Sequence, residues 1–259
     1  MSFKRWTAAR RSVQAAVILL LGSPLVGQSF FNGNLAAADL MGLPLVDPLA
    51  ATQAVLASRI VVPAFLVSAS AVALFYFLVG GRTFCAWICP VYLLTEAGDA
   101  LRRRTGLAGR TAPLATKKWL LLIVLCVTVV TGLPLFEILS PIGMFARAVA
   151  YGGYLAISCL IGIVLVEVVL SRRIWCRSLC PLGGFYSLLG RYSPTRVWFT
   201  PSRCTACGAC ARICPVEEVL EPSLGRGELR VVSGDCTRCG ACVDICPHRA
   251  LTMKSFARH

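Results

Sequence analysis

Four long apolar runs, a strict alternation of basic and charge-poor loops between them, and two four-cysteine runs near the C-terminus predict an α-helical membrane protein. A small α+β domain follows the helices. The bulk composition agrees. The 259 residues are 57% hydrophobic and only 15% charged, yet the net charge is +14. Mean hydropathy is +0.73, an apolar excess above the ordinary soluble range that calls for lipid as solvent. A basic excess suits nucleic acid or a membrane surface. Here the Lys and Arg lie in loops between apolar runs, which excludes a nucleic-acid partner and favours membrane lipid.

The apolar runs cover residues 13–31, 60–79, 119–139 and 148–170. About 20 apolar residues cross a hydrocarbon core of roughly 30 Å as a helix, so each predicts one transmembrane helix. Lys and Arg are concentrated on cytoplasmic loops. Lys4, Arg5, Arg10 and Arg11 precede the first run, and only Arg59 follows it. Arg82, Arg102, Arg103, Arg104, Arg110, Lys117 and Lys118 follow the second, only Arg147 follows the third, and Arg172 and Arg173 open the tail. The alternation predicts a multi-pass protein of the bacterial inner membrane with both termini cytoplasmic. Arg10-Arg11 before an apolar run resembles a twin-arginine export signal, but an uncleaved first helix explains the same residues.

The two halves repeat. GGRTFCAWICPVY (80–92) closes the first helical hairpin and SRRIWCRSLCPLG (171–183) closes the second. Each has basic residues, an aromatic, Cys-x-x-x-Cys and Pro. Residues 1–192 therefore read as a transmembrane domain of two repeated hairpins, and 193–259 as a cytoplasmic domain. On a helix the spacing puts Cys85 with Cys89, and Cys176 with Cys180, on one face. If the halves meet, four thiolates converge as a redox or soft-metal site, an additional cluster or a copper site. Dithiol exchange or simple packing are the plainer readings. Arg82, Arg172, Arg173 and Arg177 nearby would lower the thiol pKa. Cys126 and Cys159 read as small core residues.

Within 193–259, CTACGACARICP (204–215) and CTRCGACVDICP (236–247) both have the spacing Cys-x2-Cys-x2-Cys-x3-Cys-Pro. This is the run of bacterial two-cluster ferredoxins, in which the fourth cysteine ligates the other cluster. Three close cysteines wrap three corners of a cubane, and the turn before proline aims the fourth away. Cluster 1 is expected on Cys204, Cys207, Cys210 and Cys246, and cluster 2 on Cys236, Cys239, Cys242 and Cys214. Paired zinc knuckles, with four ligands per ion, explain the doubled spacing poorly. Fold class is thus an α-helical membrane protein with a C-terminal α+β two-[4Fe–4S] ferredoxin-like domain.

The only histidines are His248 and His259. No bis-histidine haem is expected within the helices, and no Cys-x-x-Cys-His is present to attach a c-type haem. There is no Walker or Rossmann glycine fingerprint. Quinol, the two-electron carrier of the membrane, is the expected exchangeable substrate. Its oxidation needs a proton acceptor, and ionisable residues within apolar runs are costly and often functional. Glu137 and Glu167 are the candidates, although both lie near run ends where solvation alone explains them.

GNLAAADLMGLPLVDPL (33–49), GRTFCAWICPV (81–91), FEILSPIGMFARA (136–148), IWCRSLCPLGGFYSLLG (174–190) and the two cluster runs resemble the NapH/MauN-type ferredoxin membrane proteins. Within that family the likeness is to the membrane subunit of the quinol dehydrogenase serving periplasmic nitrate reductase. The resemblance implies a subunit, inactive alone, that oxidises quinol. It would pass electrons with a periplasmic Fe–S partner towards a downstream reductase, that for nitrate being the first expectation. Copper-assembly and nitrous-oxide relatives share the Cys-x-x-x-Cys-Pro pairs. A maturation factor, handling copper or donating electrons to an assembling metalloenzyme, is therefore the competing expectation.

Overall fold

The computed structural model describes residues 5–23, 31–33, 36–40, 43–105, 112–151, 154–169 and 172–255. The chain divides into two compact units that interleave in sequence. Met1–Gln14, Phe75–Ile88 and Tyr186–His259 form one, and Ala15–Leu74 with Cys89–Phe185 form the other.

The described residues do not form the four expected transmembrane helices. Among the described residues no helix is long and apolar enough to cross a membrane. Local chain chemistry gives the reason at each run. In 13–31, α1 (Arg5–Gly22) stops at Gly22, and Phe31–Gly33 is already strand β1. In 60–79, α3 (Pro63–Val79) begins on a proline and ends before Gly80 and Gly81, both at positive φ. In 119–139, α6 (Thr116–Thr131) is closed by Gly132 at φ 68°, and a separate short helix, α7 (Leu135–Leu139), follows Pro134. The 148–170 run is split between α8 (Pro141–Tyr151) and α9 (Tyr154–Val169). Helices of 16 or 17 residues reach only about 25 Å at 1.5 Å per residue, short of the roughly 30 Å core.

The second unit opens with an antiparallel meander of β1, β2 (Ala37–Leu40) and β3 (Leu43–Val46), with Asn32 opposite Asp39 and Ala38 opposite Leu45. Asp47 then caps α2 (Pro48–Ser58). Its carboxylate accepts from the Leu49 and Ala50 N–H groups at 3.0 and 3.2 Å, and Pro48 supplies a first residue that needs no N–H partner. The Gln53 side chain donates to Thr128 Oγ1 at 3.1 Å, tying α2 to α6. Helix α5 (Pro90–Thr105) packs on α9, and α8 packs on α9 as well.

The first unit is organised by an aromatic cluster and one arginine. Tyr76, Phe84 and Tyr186 meet with ring centroids 5.1–5.6 Å apart. Gly81, at φ 58°, lies so close to the Tyr186 carbonyl and the Gly190 backbone of α10 (Pro181–Tyr192) that a Cβ would collide with both. Strands β4 (Arg196–Phe199) and β5 (Leu251–Lys254) pair antiparallel, with Val197 opposite Met253. Between them lie three short helices, α11 (Ala209–Ile213), α12 (Glu221–Arg226) and α13 (Ala241–Ile245).

Candidate functional site

The two cysteine runs adopt the same backbone. Ala206 and Arg238, each two residues after a first cysteine, have φ of 54° and 48°. Gly208 and Gly240, two further on, have φ of 68° and 74°. These left-handed residues curl each loop tightly before α11 and α13 begin. Cys214 and Cys246 then cap those helices in extended conformation. The two helices pack on each other.

That packing exchanges the fourth cysteines. Cys214 borders one cavity together with Cys236, Cys239 and Cys242, closed by Val197 and Leu220. Cys242 is pushed far above the ordinary thiol range by burial, then by Cys239, Cys236 and Cys214. Burial raises Cys210 as well, with Cys246 and Cys204 adding to it. Cys214 thus faces the cysteines of the second run, and Cys246 lies close enough to Cys210 to act on its charge. Cys207 is the solvent-facing member, and the Ala209 N–H pulls its thiol down. Backbone N–H groups of Ala206 and Ala250 donate to the sulfurs of Cys204 and Cys246 at 3.4 and 3.3 Å.

Among the described residues no group of three or more His, Cys, Asp or Glu converges to hold a single metal ion. Cys214, Cys236, Cys239 and Cys242 instead border a common cavity. A cubane, whose four irons each take one thiolate, suits that placement, and desolvated thiols need a bound cation before they ionise. The residues fit iron–sulfur clusters, which the two crossed sets would hold.

Arg238, between Cys236 and Cys239, anchors the second loop. It donates from Nε to the Thr195 carbonyl at 2.8 Å, from Nη2 to Gly190 O at 2.8 Å, and from Nη1 to Gly80 O. Arg82 donates to the Asp235 carbonyl at 2.9 Å and lies 3.6 Å from its carboxylate. The Asp244 carboxylate accepts from Trp6 N, Thr7 N and Thr7 Oγ1 at 3.2, 2.7 and 2.8 Å, and Trp6 covers Gly240. Sequence reasoning missed Arg238, Asp244 and Trp6. The one available signal was that Arg238 and Asp244 occupy positions where the first run has Ala206 and Arg212.

The Cys-x-x-x-Cys-Pro pairs are not two turns of regular α-helix. Cys85 lies in α4 (Thr83–Trp87), which ends before Cys89, and Pro90 starts α5. Cys176 lies in a π-helical turn, Trp175–Leu179, closed by Cys180 N–H donating to Trp175 O at 2.9 Å. Cys85 belongs to the first unit, and Cys89, Cys176 and Cys180 to the second. Cys176 Sγ is 3.6 Å from Thr95 Oγ1, and Cys180 Sγ accepts from Gly183 N at 3.4 Å. The arginines expected beside these thiols are engaged elsewhere: Arg82 with Asp235, Arg172 and Arg173 with Asp99 at 3.4 and 3.5 Å, and Arg177 with Ala112 O at 3.1 Å.

Both candidate glutamates are in the second unit. Glu137 is half-buried in the first turn of α7. Glu167 is 1% exposed and accepts the Trp175 N–H at 2.9 Å. Burial raises its carboxyl to about 7. Cys126 is exposed and Cys159 half-buried, so Cys126 is not a core residue.

Comparison with known proteins decides the family. A 4Fe-4S dicluster domain model matches residues 196–247. The methylamine utilization ferredoxin-type protein MauN of Paracoccus denitrificans is 40% identical over the whole chain and 93% of its own length. The chain belongs to the MauN and NapH ferredoxin-type family. NapH of Escherichia coli is 30% identical, covering 83% of this chain and 77% of its own length. A 4Fe-4S binding domain model matches this family member twice, at 61–108 and 153–199, the two segments that contain the Cys-x-x-x-Cys-Pro pairs. No solved structure matches. As a member of this family the protein is a ferredoxin-type, iron–sulfur electron-transfer protein.

Proposed function

We propose that this protein takes electrons from quinol and passes them to an Fe–S partner subunit and on to a periplasmic redox enzyme. The observation that carries the reading is the meeting of Cys214 with Cys236, Cys239 and Cys242 around one cavity. That exchange ties two cluster sites into one fold, so a two-electron donor meets two neighbouring one-electron acceptors. When bound, each cluster supplies a one-electron store whose potential depends on burial and on hydrogen bonds to sulfur. The chain's own part is to bury the second set of thiols, donate N–H groups to Cys204 and Cys246, and fix the loop through Arg238.

The site of action is the bacterial inner membrane, where quinol dissolves. Leu66, Val67 and Leu74 of α3, and Ile161, Leu165 and Val169 of α9, are all well exposed. Apolar faces of this kind mark contact with lipid or protein, and the basic loops suit an anionic cytoplasmic leaflet. The nitrate reductase stands as one acceptor. Identity of 40% to a methylamine utilization protein against 30% to NapH supports a second reading, electron donation to the assembly of a metalloenzyme in amine utilisation.

The test uses anaerobically purified protein in lipid vesicles. Menadiol should bleach the cluster absorbance and produce reduced-cluster EPR signals. Reduction by dithionite but never by menadiol would exclude quinol oxidation. A deletion strain then separates the acceptors, since loss of growth on nitrate supports the first reading and loss of growth on methylamine the second.

A further inference from the structure

The first unit contains a second cavity, distinct from the one bordered by cysteines, with a volume of about 380 Å³. Its walls are Trp6, Phe75, Val79, Trp87, Ile88 and Met253, with hydroxyls from Thr83, Thr195 and Ser255. Small-molecule sites fall at roughly 300–1,000 Å³ and are apolar with a few placed polar groups. Arg238 borders both this cavity and the cavity lined by Cys214, Cys236, Cys239 and Cys242. Its guanidinium is held on the Gly80, Gly190 and Thr195 carbonyls, so the shared wall is fixed. Trp87 adds to it, donating from Nε1 to the Arg238 carbonyl at 3.2 Å.

We propose that this apolar cavity is the binding site for the hydroquinone ring, seated against the Arg238 wall beside the cysteines of the second cluster. The inference rests on the quinol reading and moves the substrate away from Glu137 and Glu167. Three properties identify the occupant. The lining suits a flat apolar ring, with Trp6 and Trp87 meeting edge to face at 6.2 Å. Thr83, 9% exposed, makes only a 3.5 Å contact with the Val79 carbonyl, which leaves its hydroxyl able to turn to a ring oxygen. Thr195 and Ser255 pair their hydroxyls at 2.8 Å in an exposed position, a route to water.

Oxidation of one hydroquinone to quinone breaks two O–H bonds and releases two electrons and two protons. The two clusters, when bound, would take up one electron each across the Arg238 wall, and the protons would leave to water past Thr195 and Ser255.

The full-length protein tests this with two variants. Val79→Trp fills the cavity, and Thr83→Val removes the hydroxyl without changing size. Menadione binding is read from tryptophan fluorescence quenching, and electron entry from the rate at which menadiol bleaches the clusters. Dithionite bleaching reports cluster content. The expected result is menadione affinity and menadiol rate both reduced in Val79→Trp by about tenfold or more, the lower end of what one methylene group achieves in a pocket. Thr83→Val should show a smaller loss in both, with dithionite-bleachable content at the wild-type level in each variant. If Val79→Trp loses its clusters through misfolding, Thr83→Val decides alone. Menadiol rates and menadione affinity at wild-type values in folded variants would overturn the site while leaving quinol oxidation standing. If menadiol reduces no form of the protein, quinol oxidation fails; menadione quenching that Val79→Trp still abolishes would then keep the cavity as a quinone-ring site, and its absence would remove both.

Discussion

At the scale of single residues, Glu167 carries the largest electrostatic consequence outside the cluster loops. Burial raises its carboxyl from 4.5 to about 7, against the opposing help of the Trp175 N–H at 2.9 Å. A carboxyl raised by folding favours the folded state while it is protonated in both states. Stability is therefore fullest below pH 4.5 and falls as pH rises through 7, by on the order of 3 kcal/mol at about 1.4 kcal/mol per unit. Glu167→Gln keeps an oxygen for the Trp175 N–H and cannot ionise. Its unfolding midpoint should be nearly flat between pH 5 and pH 8 where the wild type declines. A wild-type curve as flat as the variant's would show that the side chain is solvated. Glu167 was legible in the sequence as an acid in an apolar run. The raised pKa was not, because it comes from burial by residues brought around the carboxyl only in the folded chain, while the Trp175 N–H works against it.

At the scale of elements, the cysteine runs were the most legible feature because their spacing is covalent. The crossed arrangement follows from α11 packing on α13, and it separates two otherwise equivalent substitutions. Cys214→Ser should deplete the cluster bordered by Cys236, Cys239 and Cys242, and Cys246→Ser the other. Iron should drop in each from about eight to about four atoms per chain if each run's fourth cysteine serves the other cluster. Loss in Cys214→Ser of the cluster on Cys204, Cys207 and Cys210, with the other kept, would show that each run ligates its own centre and refute the exchange. Helix ends were less legible. A hydropathy sum over 119–139 passes straight through Gly132 and Pro134, whereas the chain turns there at φ 68°. Helix α1 shows a different kind of end, capped by a residue more than 230 positions away. Asp244→Ala removes three hydrogen bonds from its first turn. A lost cap costs about 1 kcal/mol, so amide exchange at Trp6 and Thr7 should quicken severalfold while the cluster EPR spectrum is retained.

At the scale of the whole molecule, the sequence suggests a helical part at 1–192 and a cluster part at 193–259, and the compact units cut across that line. Composition changes near residue 192, but packing does not follow composition. Arg238 needs the Gly80 carbonyl and Asp235 engages Arg82. A fragment of residues 193–259 alone removes the Gly80 and Gly190 carbonyls from Arg238 and Arg82 from Asp235. Reconstituted with iron and sulfide, the fragment should bind the cluster at Cys204, Cys207 and Cys210 but lose the one beside Arg238 within minutes in air. The full-length chain should keep both for longer under the same exposure. Equal lifetimes would show that residues 75–88 contribute nothing to the second cluster site.

The cap on α1 also sets an order in time. Asp244 is made 237 residues after Thr7, which at 5–20 residues per second is a delay of roughly 10–50 s on the ribosome. Over that interval the first turn of α1 lacks its carboxylate and Trp6 has no Gly240 to cover. The first turn of α1 is thus completed by a residue made much later, and the second cluster loop cannot close against it before residue 246 has been made. Iron and sulfide delivery to that loop consequently comes after the first loop in the order of synthesis, and a ribosome stalled before residue 236 would hold a chain that no assembly machinery can load there.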